Sequence, residues 1–166
     1  MQFAFILRFN MYKNLIDKCV DSLNTLGLKV VVGESCLSEH GFLSGTDDIR
    51  AKDINCMFAD KNIKGIFALR GGYGCARLLN LIDFKLIKKN PKIFVGYSDI
   101  TALHIAINQK SKLVTYHGPM ISTELIKGLD EYTASYYKKF IFGNEKVEEI
   151  YNPEGYNLES INTGIS

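Results

Sequence analysis

"PKIFVGYSDITALH", Pro91 to His104, holds the turn from which the fold can be read. Lys92 to Val95 reads as a short strand. Asp99 to Gln109 carries Ala102, Leu103, Ala106 and Ile107 at helical spacing. Gly96, Tyr97 and Ser98 lie between, so a strand becomes a helix across three residues. Two readings of Ser98 are open. Serine is a good helix N-cap, because its hydroxyl accepts from an amide of the first turn. It is also what a hydrolase places at such a junction, where the helix dipole and the following amide favour an oxyanion. The usual α/β-hydrolase elbow has a second glycine two residues after the serine; Ile100 fills that place here.

The same pattern recurs on either side. Ile63 to Leu69 reads as a strand and ends in "RGGYG", Arg70 to Gly74. Leu113 to Tyr116 reads as another and ends in "YHGP". Leu28 to Val32 is a β-branched run, residues 3–7 fit a short buried strand, and Lys146 to Ile150 fits a final one. Helical patterns separate them. Leu15, Ile16, Cys19, Val20, Leu23 and Leu26 recur at spacings of three and four, with Gly27 as the stop. Thr46 is placed to cap a helix whose first turn holds Asp47 and Asp48, and whose apolar face is Ile49, Ile54, Met57 and Phe58. Cys75 to Ile82 reads as helical with Leu78, Leu79 and Ile82 inward, and Tyr132 to Phe142 as a further helix. Gly33 to Gly45 reads as a loop.

Short apolar strands alternating with helices predict an α/β fold: a mainly parallel sheet with helices on both faces. This is a three-layer arrangement, flavodoxin-like or glutamine-amidotransferase-like. In such sheets ligands bind at the carboxyl ends of the strands. RGGYG, GYSD and YHGP all fall there, which makes that edge the candidate site.

Composition narrows the classes. The chain has 166 residues, 46% apolar and 23% charged, with a net charge of +2. That fits one globular domain and lacks the basic excess of a nucleic-acid binder. Lys88-Lys89 and Lys138-Lys139 read as solvated helix surface. The four cysteines, Cys19, Cys36, Cys56 and Cys75, match no zinc spacing. Cys19 and Cys56 are expected on apolar helix faces, as reduced packing residues. "MQFAFILRFN" has no basic n-region and no cleavage site, and no stretch is long enough to span a membrane. The expected location is the cytoplasm.

One glycine turn after a strand often means only close backbone approach. RGGYG lacks both the dinucleotide fingerprint and the Walker lysine. Two such turns together suggest more. A nucleophile needs a second amide to complete an oxyanion hole, and a strand ending in Gly-Gly presents a bare N–H. Acyl transfer then has Ser98 attacking a carbonyl, with the N–H groups of Asp99 and Gly72 on the oxygen. Gly71, Tyr73 and His117 are expected at the edge of the site. His104 lies six residues past Ser98, about 9 Å along a helix axis, too far to take the hydroxyl proton. His40 is expected in solvent. Cys75 has no visible base beside it.

"GFLSGTDDIRAKDINCMFAD", "ALRGGYGCARLLNLIDF", "PKIFVGYSDITALHIAI" and "TYHGPM" resemble, in this order, the amino-terminal domain of the LD-carboxypeptidases. This serine peptidase family includes the microcin C self-immunity proteins. The resemblance runs from about Gly27 to about Leu125. It implies that Ser98 is the nucleophile and that the amides of Asp99 and Gly72 form the oxyanion hole. It implies a cytoplasmic, usually homodimeric enzyme that needs neither metal nor cofactor. Such an enzyme removes a carboxyl-terminal D-amino acid from a muropeptide, with no nucleic-acid or membrane partner. Two departures stand out. "FAFILRFN" replaces the family's opening strand and Pro-Ser turn. The family's activating glutamate and histidine come from a second domain, and no residue here can be assigned to either role. Residues 1–150 are then the nucleophile-bearing domain, and 151–166, ending in "INTGIS", resemble the start of a linker to that second domain. The alternative is a non-catalytic α/β ligand-binding or assembly module.

Overall fold

The computed structural model describes residues 2–6, 13–24, 27–143 and 149–156. Among the described residues five strands form one sheet: β1 (Gln2–Ile6), β2 (Lys29–Val32), β3 (Ile63–Ala68), β4 (Ile93–Gly96) and β5 (Tyr116–His117). Their order is β2-β1-β3-β4-β5, and every pairing is parallel. This is the flavodoxin-like order, with its switch point between β1 and β3.

The helices are α1 (Lys13–Asn24), α2 (Asp47–Ala59), α3 (Phe84–Lys89), α4 (Thr101–Ser111) and α5 (Glu131–Phe142). Right-handed crossovers put α2, α3 and α4 on one face and α1 on the other. The contacts agree: α3 packs on both α2 and α4, whereas α1 packs on β2 and on the 3-10 turn Leu125–Lys127. Strands covered on both faces must be apolar throughout. Ile66, Phe67, Ala68 and Leu69 of the β3 run, and Phe94 and Val95 of β4, are accordingly buried. Ile54, Phe58, Leu78, Ile87, Leu103 and Ile107 close over Ile66, Ala68 and Phe94 from the α2–α4 side.

Local chemistry sets the helix ends. The Thr46 hydroxyl accepts from the Ile49 amide at the start of α2. The Asp83 carboxylate accepts from the Leu86 amide at the start of α3. Asp53, buried in α2, takes the amides of Glu34 and Ser35 and so pins a 3-10 turn in the loop after β2.

Four expectations need correction. Cys75 to Ile82 is not an α-helix. A 3-10 turn covers Cys75–Leu78, and the α-helix begins later, at Phe84, behind the Asp83 cap. Leu78 and Ile82 are buried all the same, so the inward side chains were those of a turn. Cys56 is exposed, because the register of α2 turns Ile54, Met57 and Phe58 inward instead. Within Leu113 to Tyr116 only Tyr116 pairs with β4, and Val114 is exposed. Of the strand expected over Lys146 to Ile150, residues 146–148 lie outside the described residues and Ile150 is exposed, in no strand.

The chain divides into two compact units, Met1–Gly128 and Leu129–Ser166. In the second, Asp130 caps α5 by accepting from the Thr133 amide. There the Tyr132 hydroxyl donates to the Tyr151 carbonyl, and the Tyr151 amide donates to the Tyr136 hydroxyl.

Candidate active site

β3 and β4 are hydrogen-bonded neighbours, so the turns that leave their carboxyl ends emerge side by side. Tyr97 is still extended, with φ −152°. The chain then reverses at Ser98, whose φ is +62°. A non-glycine residue pays on the order of 1 kcal/mol or more to sit in that left-handed region. Ser98 opens a 3-10 turn, Ser98–Ile100, that runs directly into α4. No side-chain hydrogen bond caps the turn or α4, which removes the capping reading of this serine. Ser98 is exposed on the surface.

RGGYG lies against it. A Cβ added to Gly71 would fall 2.9 Å from Ser98 Cβ and 3.1 Å from its Oγ. The bare Cα of Gly71 is thus the floor on which the hydroxyl rests. Gly72 and Gly74 serve a different need, with φ of +145° and +101°. Gly74 also rests on a buried guanidinium: a Cβ there would meet Arg50 Nη1 at 3.0 Å. Arg50 is 2% exposed and pairs with Asp47, which also receives Arg77 at 2.8 Å. Partial burial works to raise the Asp47 carboxyl, but the two guanidiniums outweigh it and hold the group below its ordinary range.

The two turns are tied to each other. The Asp99 carboxylate accepts from the Cys75 amide at 2.8 Å, across 24 residues of sequence. Cys75 itself is buried. Burial, reinforced by the neighbouring Asp99 charge, pushes its thiol far above the ordinary range, so it stays protonated and a poor nucleophile.

A third segment, residues 118–126, buttresses both strand ends. Gly96 O accepts from the Gly118 amide at 3.2 Å and lies 2.8 Å from His104 Nε2. A carbonyl can only accept, so Nε2 carries the proton, and burial lowers the pKa of this histidine. His104 is therefore a neutral donor holding the end of β4. The Leu69 carbonyl accepts from both the amide and the hydroxyl of Ser122. Glu124 accepts from the Tyr97 hydroxyl at 2.7 Å, the Met120 amide at 3.0 Å and the Thr123 hydroxyl at 2.6 Å. Burial opposes ionisation of Glu124, but these donors prevail and lower its pKa.

His117 is exposed, its ring 5.9 Å from that of Tyr97. Tyr73 is exposed and its ring lies 6.0 Å from Phe42. His40 is exposed in a tight bridge with Leu43. Among the described residues no group of three or more His, Cys, Asp or Glu could hold a metal ion. No helix among them is long and apolar enough to cross a membrane. Arg50, Ser122 and Glu124 were not singled out from sequence. Ser122 and Glu124 reach partners 53 and 27 residues away, and the Gly74 backbone that rests on Arg50 lies 24 residues from it, separations that no local spacing signals.

Residues 8–118 match the LD-carboxypeptidase N-terminal domain family. The probable murein peptide carboxypeptidase of Bacillus subtilis (strain 168) is 48% identical over 116 residues, which are 70% of this chain and 36% of that protein. The microcin C7 self-immunity protein MccF of Escherichia coli is 34% identical over 157 residues, 90% of this chain and 44% of that one. The crystal structure of muramoyltetrapeptide carboxypeptidase from Oxalobacter formigenes superposes with a TM-score of 0.75 at 27% identity, over 84% of this chain and 47% of the other. The chain thus spans less than half the length of each of these relatives.

Proposed function

The chain belongs to the LD-carboxypeptidase family through the family's N-terminal domain, and on that footing we propose that Ser98 is the nucleophile of a serine carboxypeptidase. The whole protein would remove a carboxyl-terminal D-amino acid from a muropeptide, in the cytoplasm and as a homodimer. The observation that carries this reading is the strained, uncapped, exposed Ser98 resting on the bare Cα of Gly71.

The chemistry is acyl transfer. Ser98 Oγ attacks the carbonyl carbon of the last peptide bond while a base takes its proton. Negative charge develops on the carbonyl oxygen. The amides of Asp99 and Gly72 would receive it at the amino-terminal end of the turn leading into α4, where the helix dipole adds to them. Collapse of the intermediate breaks the C–N bond, and the base returns its proton to the leaving amine. Water then cleaves the acyl-serine. His104 is committed to Gly96 O and cannot be the base. The base and its orienting carboxylate are assigned to the part of the family's length that this chain does not span. Gly71, Tyr73 and His117 would form the edge of the substrate site.

A second substrate reading, a microcin-like conjugate, is favoured by the match to the self-immunity protein over 90% of this chain. Both use the same serine. The test is adduct mapping: a fluorophosphonate should label the whole protein at Ser98, and label and amino-acid release should both vanish in Ser98→Ala. A label at Cys75, or release that survives Ser98→Ala, would refute the assignment. Comparing a muropeptide tetrapeptide with an aminoacyl sulfamoyl nucleotide then separates the two substrates.

A further inference from the structure

A serine held at φ +62° keeps that conformation only if its surroundings impose it. On one side the constraint is visible: Asp99 is tied to the Cys75 amide. On the other side stands Tyr97, the last extended residue before the reversal, half-buried with its hydroxyl 2.7 Å from Glu124 Oε1. We infer that Glu124 is a positioning residue for Ser98, acting through the Tyr97 hydroxyl; this rests on Ser98 being the nucleophile.

The two carboxylate oxygens divide the work. Oε2 accepts from the Met120 amide and the Thr123 hydroxyl, both within Glu124's own turn. That fixes the carboxylate relative to its backbone and leaves Oε1 for Tyr97. The turn is anchored in its own right, since Ser122 is doubly bonded to the Leu69 carbonyl at the end of β3. A continuous path therefore runs from the β3 end through Ser122 and Glu124 to the Tyr97 side chain, and so to the peptide preceding Ser98. Ser98 is clamped by carboxylates acting on both of its chain neighbours: Asp99 joins its turn to the RGGYG side, and Glu124 joins Tyr97 to the segment after β5. A charge-assisted bond suits this role because it is short and directional. The reach across 27 residues means that no local preference places Glu124 there. Ser98 Oγ must stand in line with a carbonyl carbon, and a displacement near 1 Å is enough to cost about two orders of magnitude in rate.

The experiment uses the whole protein and Tyr97→Phe, which removes the hydroxyl and leaves the ring. Expected is a loss of kcat of about tenfold with KM within about twofold, the pattern of a lost transition-state alignment. Glu124→Ala added to Tyr97→Phe should cost less than about twofold more, because one path is cut twice. Tyr97→Phe with a wild-type kcat, or losses that multiply in the double variant, overturns the inference. Amide hydrogen exchange tests the clamp without substrate. The amides of Ile100, which donates to the Tyr97 carbonyl, and of Thr101, which donates to the Ser98 and Asp99 carbonyls, should exchange roughly tenfold faster in Tyr97→Phe while the amides of α2 are unchanged. Equal acceleration throughout the domain, which would make the bond a general stabiliser of the fold, or none at Ile100 and Thr101, overturns the inference. If wild-type protein releases no terminal residue, the carboxypeptidase reading fails, and the exchange measurement still decides whether Glu124 holds the elbow.

Discussion

Gly71→Ala places one methyl group between the two turns. The new Cβ would lie 2.9 Å from Ser98 Cβ and 3.1 Å from Oγ. Carbon atoms pack at about 3.5–4.0 Å, so the turns must part by about 0.6–1.1 Å. The hydroxyl can rotate away, but Ser98 Cβ is fixed to the backbone and cannot. Gly71 does not have a left-handed φ, so the effect is steric and carries no torsional penalty. Inserting a methyl group into close packing costs about 1–3 kcal/mol of stability. The larger effect falls on the reaction, since a shift of this size in a reacting atom costs about 10–100-fold in kcat. The assay is release of D-alanine from a tetrapeptide at saturating substrate, with urea unfolding alongside to measure stability. A folded Gly71→Ala protein with kcat within about threefold of wild type would refute the claim that this contact positions the reacting oxygen.

Four further outcomes are expected. Asp99→Ala strips the partner from the Cys75 amide and should cost about 1–3 kcal/mol of stability, with Asp99→Asn costing less because its amide oxygen can still accept; equal stability of the two variants by urea unfolding would contradict this. Iodoacetamide at pH 8 should modify exposed Cys56 and spare buried Cys75 in the native protein, as read by peptide mass. The folded-state pKa of Glu124 is depressed, so its contribution is present above the ordinary glutamate range and is lost as pH falls through the lower folded value; the stability gap between wild type and Glu124→Gln should shrink over that acid range, and a gap independent of pH would count against it. Residues 1–166 alone should release no D-alanine at an enzymic rate, because a site without its triad partners keeps only roughly 10³–10⁴-fold over water; ready release would point to a base within the chain, with His117 the first to test.

The sheet was legible because its chemistry is local. Strands covered on both faces must be apolar along their length, and Ile63 to Leu69 and Ile93 to Val95 announce themselves in this way. Thr46 was legible as a cap for a similar reason: its partner is three residues away. Cys75 to Ile82 was misread because Leu78, at the end of a 3-10 turn, and Ile82, in the bend after it, point inward as readily as they would from an α-helix. The deciding residue, Asp83, lay just beyond the window. GYSD drew attention to Ser98, but sequence cannot say which glycine of RGGYG must be bare for contact and which for its φ; that needs the distance between Gly71 and Ser98. Glu124 and the carboxylate of Asp99 act across 27 and 24 residues, and their partners are chosen by the strand order.

That strand order has a consequence for biosynthesis. β1 lies inside the sheet, between β2 and β3, although it is made first. Its second edge stays unpaired until Ile63–Ala68 has left the ribosome, and β4 and β5 are then added outward in the order of synthesis. The elbow at Ser98 and the 118–126 segment that braces it come last in this unit. A nascent chain therefore has a scaffold able to bear the strained serine before it has the serine's final support. A nascent chain that has emerged from the ribosome only as far as a point between Ser98 and Gly118 would hold a nearly finished sheet carrying a hydroxyl not yet locked in place.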